Sequence, residues 1–255
     1  MQLLVSVRSA EEAAAAIAGG ADIVDAKEPG AGAIGAVSIG VLREIAAALH
    51  ADVPLSAAIG DAVDEATVER TACVFAAAGA WFVKVGFAGI SSEARIAALA
   101  SAAQRGVVAA SAGRCGIVLV AYADADPSAS PTAGALVDIA ACAGARGVLL
   151  DTADKNGYGL RALIDRDTLR AFVARAHANG LSAALAGRLT ADDLPFVQDV
   201  GADIAGVRGA ACDGGRAGRV TADRVRALRN REDTKTHEAT KLFLYKKEKI
   251  FLVTS

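Results

Sequence analysis

Gly20-Ala21-Asp22-Ile23-Val24 has three echoes further along the chain. They are Gly79-Ala80-Trp81-Phe82-Val83, Gly144-Ala145-Arg146-Gly147-Val148 and Gly201-Ala202-Asp203-Ile204-Ala205. Each copy follows an alanine-rich helical stretch. Glycine suits the position just past a helix end, and the apolar run after it reads as a strand, so each copy marks a helix-to-strand junction. The copies stand roughly 60 residues apart, which is about two βα units of some 30 residues each.

The strands between the repeats complete the count: 3–7, 54–59, 117–122 and 182–185. Helices are predicted over 9–19, 38–49, 64–78, 92–105, 132–143, 166–179, 190–198 and 221–229. Ser9, Ser38, Ser92, Asp165, Thr190 and Thr221 stand at helix starts, where a side-chain oxygen can cap free N–H groups. Eight strands alternating with eight helices predict a single (β/α)₈ barrel over residues 1–230. A doubly wound open sheet could use the same alternation. It would not need eight regular units, and no G-x-G-x-x-G follows the first strand.

Composition narrows the function classes. A net charge of −2 gives no basic footprint for nucleic acid. No apolar run reaches the roughly 18 residues of a membrane span. The first residues read directly as a strand, without a basic region and long apolar segment of a signal peptide, so a cytoplasmic protein is expected. Cys73, Cys115, Cys142 and Cys212 are scattered, as are His50, His177 and His237. Neither a metal nor another cofactor is therefore expected. Small barrels commonly self-associate, so a homo-oligomer is expected.

Residues 1–230 hold eighteen arginines and only three lysines, Lys27, Lys84 and Lys155. Arg stays protonated, whereas a Lys amine in an apolar pocket can lose its proton and attack a carbonyl. All three lysines stand at or just past the end of an apolar run, where a barrel places its chemistry. Asp25 and Lys27 are two apart and share a face. With Lys84, Asp151 and Lys155 they converge on one mouth. Neighbouring lysines depress one another's proton affinity, and the carboxylates can shuttle protons. Spacing leaves Lys27 and Lys84 equivalent as nucleophiles. Gly187 and Gly209, with Arg208, follow the seventh and eighth strands, the usual phosphate site of barrels, so a phosphorylated small-molecule substrate is expected. Arg208 is assigned a bidentate phosphate contact. Arg8, Asp124, Asp126 and Tyr158 are further candidates for the rim.

Val24-Asp25-Ala26-Lys27-Glu28-Pro29, Phe82-Val83-Lys84-Val85-Gly86 and Leu150-Asp151-Thr152 with Asp154-Lys155 resemble the (5-formylfuran-3-yl)methyl phosphate synthase family. So do Leu185-Ala186-Gly187 and Gly206-Val207-Arg208-Gly209-Ala210. The resemblance covers residues 1–230. It implies a lyase of methanofuran biosynthesis that joins two molecules of glyceraldehyde 3-phosphate, with loss of one phosphate and two waters. It further implies that Lys27 forms the Schiff base and that Lys84, Asp25, Asp151 and Lys155 are the other catalytic groups. Two other readings fit the same residues: another Schiff-base sugar-phosphate aldolase, and a non-catalytic sugar-phosphate-binding barrel.

Residues 231–255 break the style of the chain, with five lysines in 25 residues. They read as a non-native or dispensable tail. Deleting 232–255 should leave activity within a few-fold, measured as turnover of triose phosphate. Loss of folding on truncation would show that the tail packs on the barrel.

Overall fold

The computed structural model describes residues 1–126 and 130–230; the tail at 231–255 lies outside the described residues. Along the chain run β1 Gln2–Val7, α1 Ala10–Ala18, β2 Ile23–Ala26, α2 Ile39–Ala48, β3 Leu55–Asp61, α3 Glu65–Ala77 and β4 Phe82–Gly86. Then come α4 Glu93–Ser111, β5 Gly116–Tyr122, α5 Ala133–Cys142, β6 Gly147–Asp151, a short α6 Leu160–Leu163, α7 Arg166–Ala178 and β7 Ser182–Leu185. They are followed by α8 Leu194–Asp199, β8 Ile204–Val207, a small ribbon of β9 Cys212–Asp213 and β10 Arg219–Val220, and a helix α9 over 222–230. The eight long strands form one closed parallel barrel. β1 closes it by pairing with both neighbours, Leu4 beside Ile23 and Gly206 beside Leu4.

The repeat has a physical cause. Gly20, Gly79, Gly144 and Gly201 take φ of +94°, +106°, +70° and +86°. Each donates its N–H three residues back, to Ile17, Ala76, Ala141 and Gln198. The next alanine donates five residues back, to the carbonyls of Ala16, Phe75, Ala140 and Val197. This is the Schellman arrangement, which needs a left-handed residue at the turn. Four helix ends are thus closed identically just before the even strands. At the first and fourth copies the aspartate also ties in a neighbouring strand. Asp22 accepts from Leu3 N–H at 2.7 Å, and Asp203 from Ala183 N–H at 2.8 Å.

Most expected caps are present: Ser9, Ser38, Ser92 and Asp165 each accept from an N–H of the first turn. Thr190 does not cap its helix. The Asp193 carboxylate takes both its N–H and its hydroxyl, and α8 begins only at Leu194. α4 also runs on to Ser111, beyond the expected end at 105. Gly106 sits inside that helix, where a Cβ would stand 2.2 Å from the Glu69 carbonyl oxygen. It is there for the close approach of α3 and α4 rather than as a stop.

A second network fixes β1 to β8. Arg208, 5% exposed, and Glu12, 2% exposed, pair at 2.6 and 3.2 Å. Arg208 Nη1 also donates to the Ser6 carbonyl, Nη2 to Gly218 and Nε to Arg216. Glu12 accepts in addition from Arg8 N–H. Burial alone would raise the Glu12 carboxyl, but Arg208 and these N–H groups outweigh it and hold it below the usual value. The stability it contributes is therefore present above a pH near 4.5 and lost as pH falls through the lower folded value. Glu12→Gln would leave a guanidinium buried without its counter-charge. It should cost about 3–5 kcal/mol in urea unfolding at neutral pH; a loss below about 1 kcal/mol would show that the pair is replaceable.

Candidate functional site

The C-terminal ends of β2, β4 and β6 bring five titratable side chains into the barrel mouth. Lys27 follows β2, and its N–H donates to the Val7 carbonyl at 2.9 Å. Its Nζ lies 3.6 Å from Asp151 Oδ2. Lys155 Nζ lies 2.5 Å from the other oxygen of the same carboxylate and donates to Thr152 Oγ1 at 3.3 Å. Lys84 pairs with Asp25 Oδ2 at 2.7 Å, and that oxygen also accepts from the Ser6 hydroxyl at 2.8 Å. All five expected catalytic residues are thus neighbours, with Lys27, Lys84, Asp25 and Asp151 buried. The interior face continues below them as Ile23, Phe82 and Leu149.

The loop that carries Lys155 is held from below. Asp124 accepts from the N–H groups of Ala153 at 2.6 Å and Asp154 at 2.8 Å, and Asp151 accepts from Thr152 N–H at 2.8 Å. Asp124 is therefore a loop anchor. Tyr158 is 76% exposed and stands off the site. Arg8 pairs with Glu12 at 3.4 Å, away from the lysines.

Three lysines face two carboxylates in this buried volume, so one amine without its proton balances the charges. Lys27 is placed to be that amine. Burial lowers it first, and Lys84 and Lys155 lower it further, against the attraction of Asp151 and Asp25, leaving it at about 8 rather than 10.5. Lys155 is also lowered, first by burial. Burial would raise Asp151, but the charges of Lys27 and Lys155 outweigh it and hold it below the usual carboxylate value. Asp25 Oδ1 is buried and, among the described residues, receives no hydrogen bond. A buried acceptor left without a partner in a polar site is costly.

A cavity of about 940 Å³, which runs along the barrel interior from Gln2, Trp81 and Ser182 at the N-terminal strand ends, connects these groups with Gly187, Gly209 and Arg216. Gly187 has φ +107°, and a Cβ there would strike Thr152 at 2.8 Å. Gly209 opens a single 3₁₀ turn, Gly209–Ala211, whose first N–H groups have no partner within the turn. Arg208 borders the cavity, but all five of its N–H donors serve Glu12 and the carbonyls of Ser6, Arg216 and Gly218. The bidentate phosphate contact assigned to it from sequence does not fit this arrangement. Arg208 stiffens the loop that carries Gly209.

Sequence reasoning missed Ser6, whose signal is a hydroxyl on an otherwise apolar strand. It also missed the pair formed by Tyr122, whose hydroxyl donates to Asp61 at 2.9 Å across Gly86, where a Cβ would strike both. Among the described residues, no group of three or more His, Cys, Asp or Glu could hold a metal ion, and no helix is long and apolar enough to cross a membrane.

Fold and site define a (β/α)₈ barrel with amines and carboxylates in its mouth. The profile of the 4-HFC-P synthase family matches residues 3–229. A Methanococcus maripaludis (5-formylfuran-3-yl)methyl phosphate synthase is 37% identical over 231 residues, covering 89% of this chain and 98% of its own. A Streptomyces griseus protein assigned provisionally to the same activity is 42% identical over 241 residues, covering 91% of this chain and 95% of its own. Among solved structures, KGPDC from Streptococcus mutans superposes with a TM-score of 0.61 at 16% identity, covering 91% of this chain and 97% of its own. The chain belongs to the 4-HFC-P synthase family.

Asp151 supplies the strongest attraction holding the proton on Lys27. Asp151→Asn should therefore move the pH midpoint of Lys27 modification by a simple aldehyde and borohydride downward from about 8, by about a unit. A midpoint that stays or rises would show that Asp151 does not set this amine.

Proposed function

We propose that this protein is a lyase that condenses two molecules of glyceraldehyde 3-phosphate into (5-formylfuran-3-yl)methyl phosphate, releasing one phosphate and two waters, in methanofuran biosynthesis. The observation that carries the mechanism is the Lys27 amine, buried and lowered to about 8. Its relatives bear the name of that activity.

Lys27 is the nucleophile in this reading. Lys84 and Lys155 are each held within 2.7 Å of a carboxylate oxygen, whereas Lys27 stands 3.6 Å away. With a value near 8, about a tenth of the amine is neutral at pH 7, against far less for an ordinary lysine. Neutral Lys27 attacks the aldehyde carbon, and the resulting oxygen leaves as water after taking up protons. Lys155, lowered and hydrogen-bonded to the Asp151 carboxylate that also faces Lys27, is a suitable proton source. The imine draws electrons from the adjacent carbon, so a base can remove its proton and give an enamine for the carbon–carbon bond. The open Oδ1 of Asp25 suits that base, with Lys84 neutralising the charge of the same carboxylate. The later loss of phosphate and water reuses these groups as acids and bases. The phosphate that stays in the product is held by backbone N–H groups at Gly187 and Gly209, where no Cβ obstructs an anion.

Borohydride added with glyceraldehyde 3-phosphate should place a mass adduct on the peptide carrying Lys27. Incubation with that substrate alone should produce the ultraviolet absorbance of a furan aldehyde. An adduct confined to Lys84 or Lys155 would reassign the nucleophile, and reversible cleavage without a furan would make the protein an ordinary aldolase.

A further inference from the structure

Two triose phosphates bring two phosphoryl groups, and the glycine loops after β7 and β8 offer a place for one. We propose that Arg216 forms a second phosphate subsite, on the β2 side of the mouth, for the second phosphorylated substrate; this rests on the two-substrate reading above.

Arg216 lies in the excursion between β9 and β10. Gly214 and Gly215 take φ of +82° and +72°, turning the chain so that Arg216 comes back over the mouth. Its main chain is fixed there. Its carbonyl accepts from Arg208 Nε at 3.1 Å, and its N lies 3.5 Å from where a Cβ on Gly209 would be. The buried Glu12–Arg208 pair therefore holds the base of the Arg216 side chain. The side chain crosses to the loop directly after Lys27, where Nη2 donates to the carbonyls of Gly32 at 3.0 Å and Pro29 at 3.3 Å. Among the described residues nothing takes its Nε or Nη1 donors. A guanidinium half in the cavity, with one edge anchored and another open, matches a phosphate better than it matches those carbonyls alone.

The surrounding charge agrees. Arg216 and Lys155 repel each other, and the attraction Asp151 exerts on both is already divided among Lys27, Lys155 and Arg216. Positive groups outnumber carboxylates on this side, and an entering phosphate restores balance. Arg188 also borders the cavity, but it follows Gly187, is exposed, and donates to the Gly157 carbonyl, so it belongs to the glycine-loop side.

Arg216→Gln keeps an N–H₂ for the two carbonyls and removes the charge. It should raise KM for glyceraldehyde 3-phosphate about tenfold or more. Borohydride trapping of unphosphorylated D-glyceraldehyde on Lys27 should stay within about twofold of wild type. Arg216→Lys should recover part of the lost affinity. An unchanged KM would overturn the proposal, and so would an equal loss with both aldehydes, since that would make Arg216 a mere support for the Lys27 loop. Calorimetric titration with inorganic phosphate reads the subsite without turnover: two phosphates per chain are expected for the wild type and one for Arg216→Gln. Equal stoichiometry in the two would also overturn it. Failure of the synthase reading shows differently, as wild-type protein that makes no furan and forms no adduct on Lys27.

Discussion

Closure of the sheet by β1 is the constraint from which the rest follows. A parallel strand pairs with both neighbours only if the ring is complete, and Gln2–Val7 pairs with Ile23–Ala26 on one side and Ile204–Val207 on the other. Closure leaves no edge and forces alternate residues of every strand toward one axis. That is why Asp25, Lys84 and Asp151, from strands far apart in the sequence, meet in one volume. It also brings the residue after β8 beside the start of α1, which makes the Glu12–Arg208 pair possible. The pair in turn fixes the segment from Gly209 to Gly218 that borders the mouth.

Burial then sets the chemistry. In water three lysines and two aspartates would all ionise and ignore one another. Here the low-dielectric surroundings make each charge felt by the others, and the lowered amine is the consequence. Asp151 serves two lysines with its two oxygens, whereas Asp25 serves Lys84 and Ser6 with one and leaves the other open. The two carboxylates are thus unequal by environment, one closed by cations and the other available, although the sequence writes them identically.

Much of this was legible in the chain. The pentads beginning at Gly20, Gly79, Gly144 and Gly201 disclose the barrel because a Schellman turn has a local sequence requirement. The lysines disclose the mouth because strand ends have a fixed place in a barrel. What was not legible depends on distant partners. Arg208 lies 196 positions from Glu12, and a glutamate in the first turn of a helix normally reads as a solvated one, so nothing local announces that the guanidinium is already occupied. The helix expected over 92–105 stopped short because the reason Gly106 lies inside it, the Glu69 carbonyl of another helix, is not adjacent in sequence. Thr190 read as a cap because Asp193 was not known to claim it first. Gly180 went unremarked although it closes α7 with the same two hydrogen bonds as the repeat glycines, to His177 and, through Leu181, to Ala176.

The excess of positive groups in the mouth has a kinetic meaning as well. The chain as a whole carries a formal charge of −2, so its net charge exerts no attraction on an anion at long range. Lys27, Lys84, Lys155 and Arg216 set four basic groups against Asp25 and Asp151 at this end of the barrel, between low-dielectric walls that focus their field. An anion is then drawn toward that end of the barrel. The guidance fades once the screening length falls to about 10 Å, near 0.1 M salt. Capture of an anion at the mouth is where this protein is exposed to the ionic strength around it.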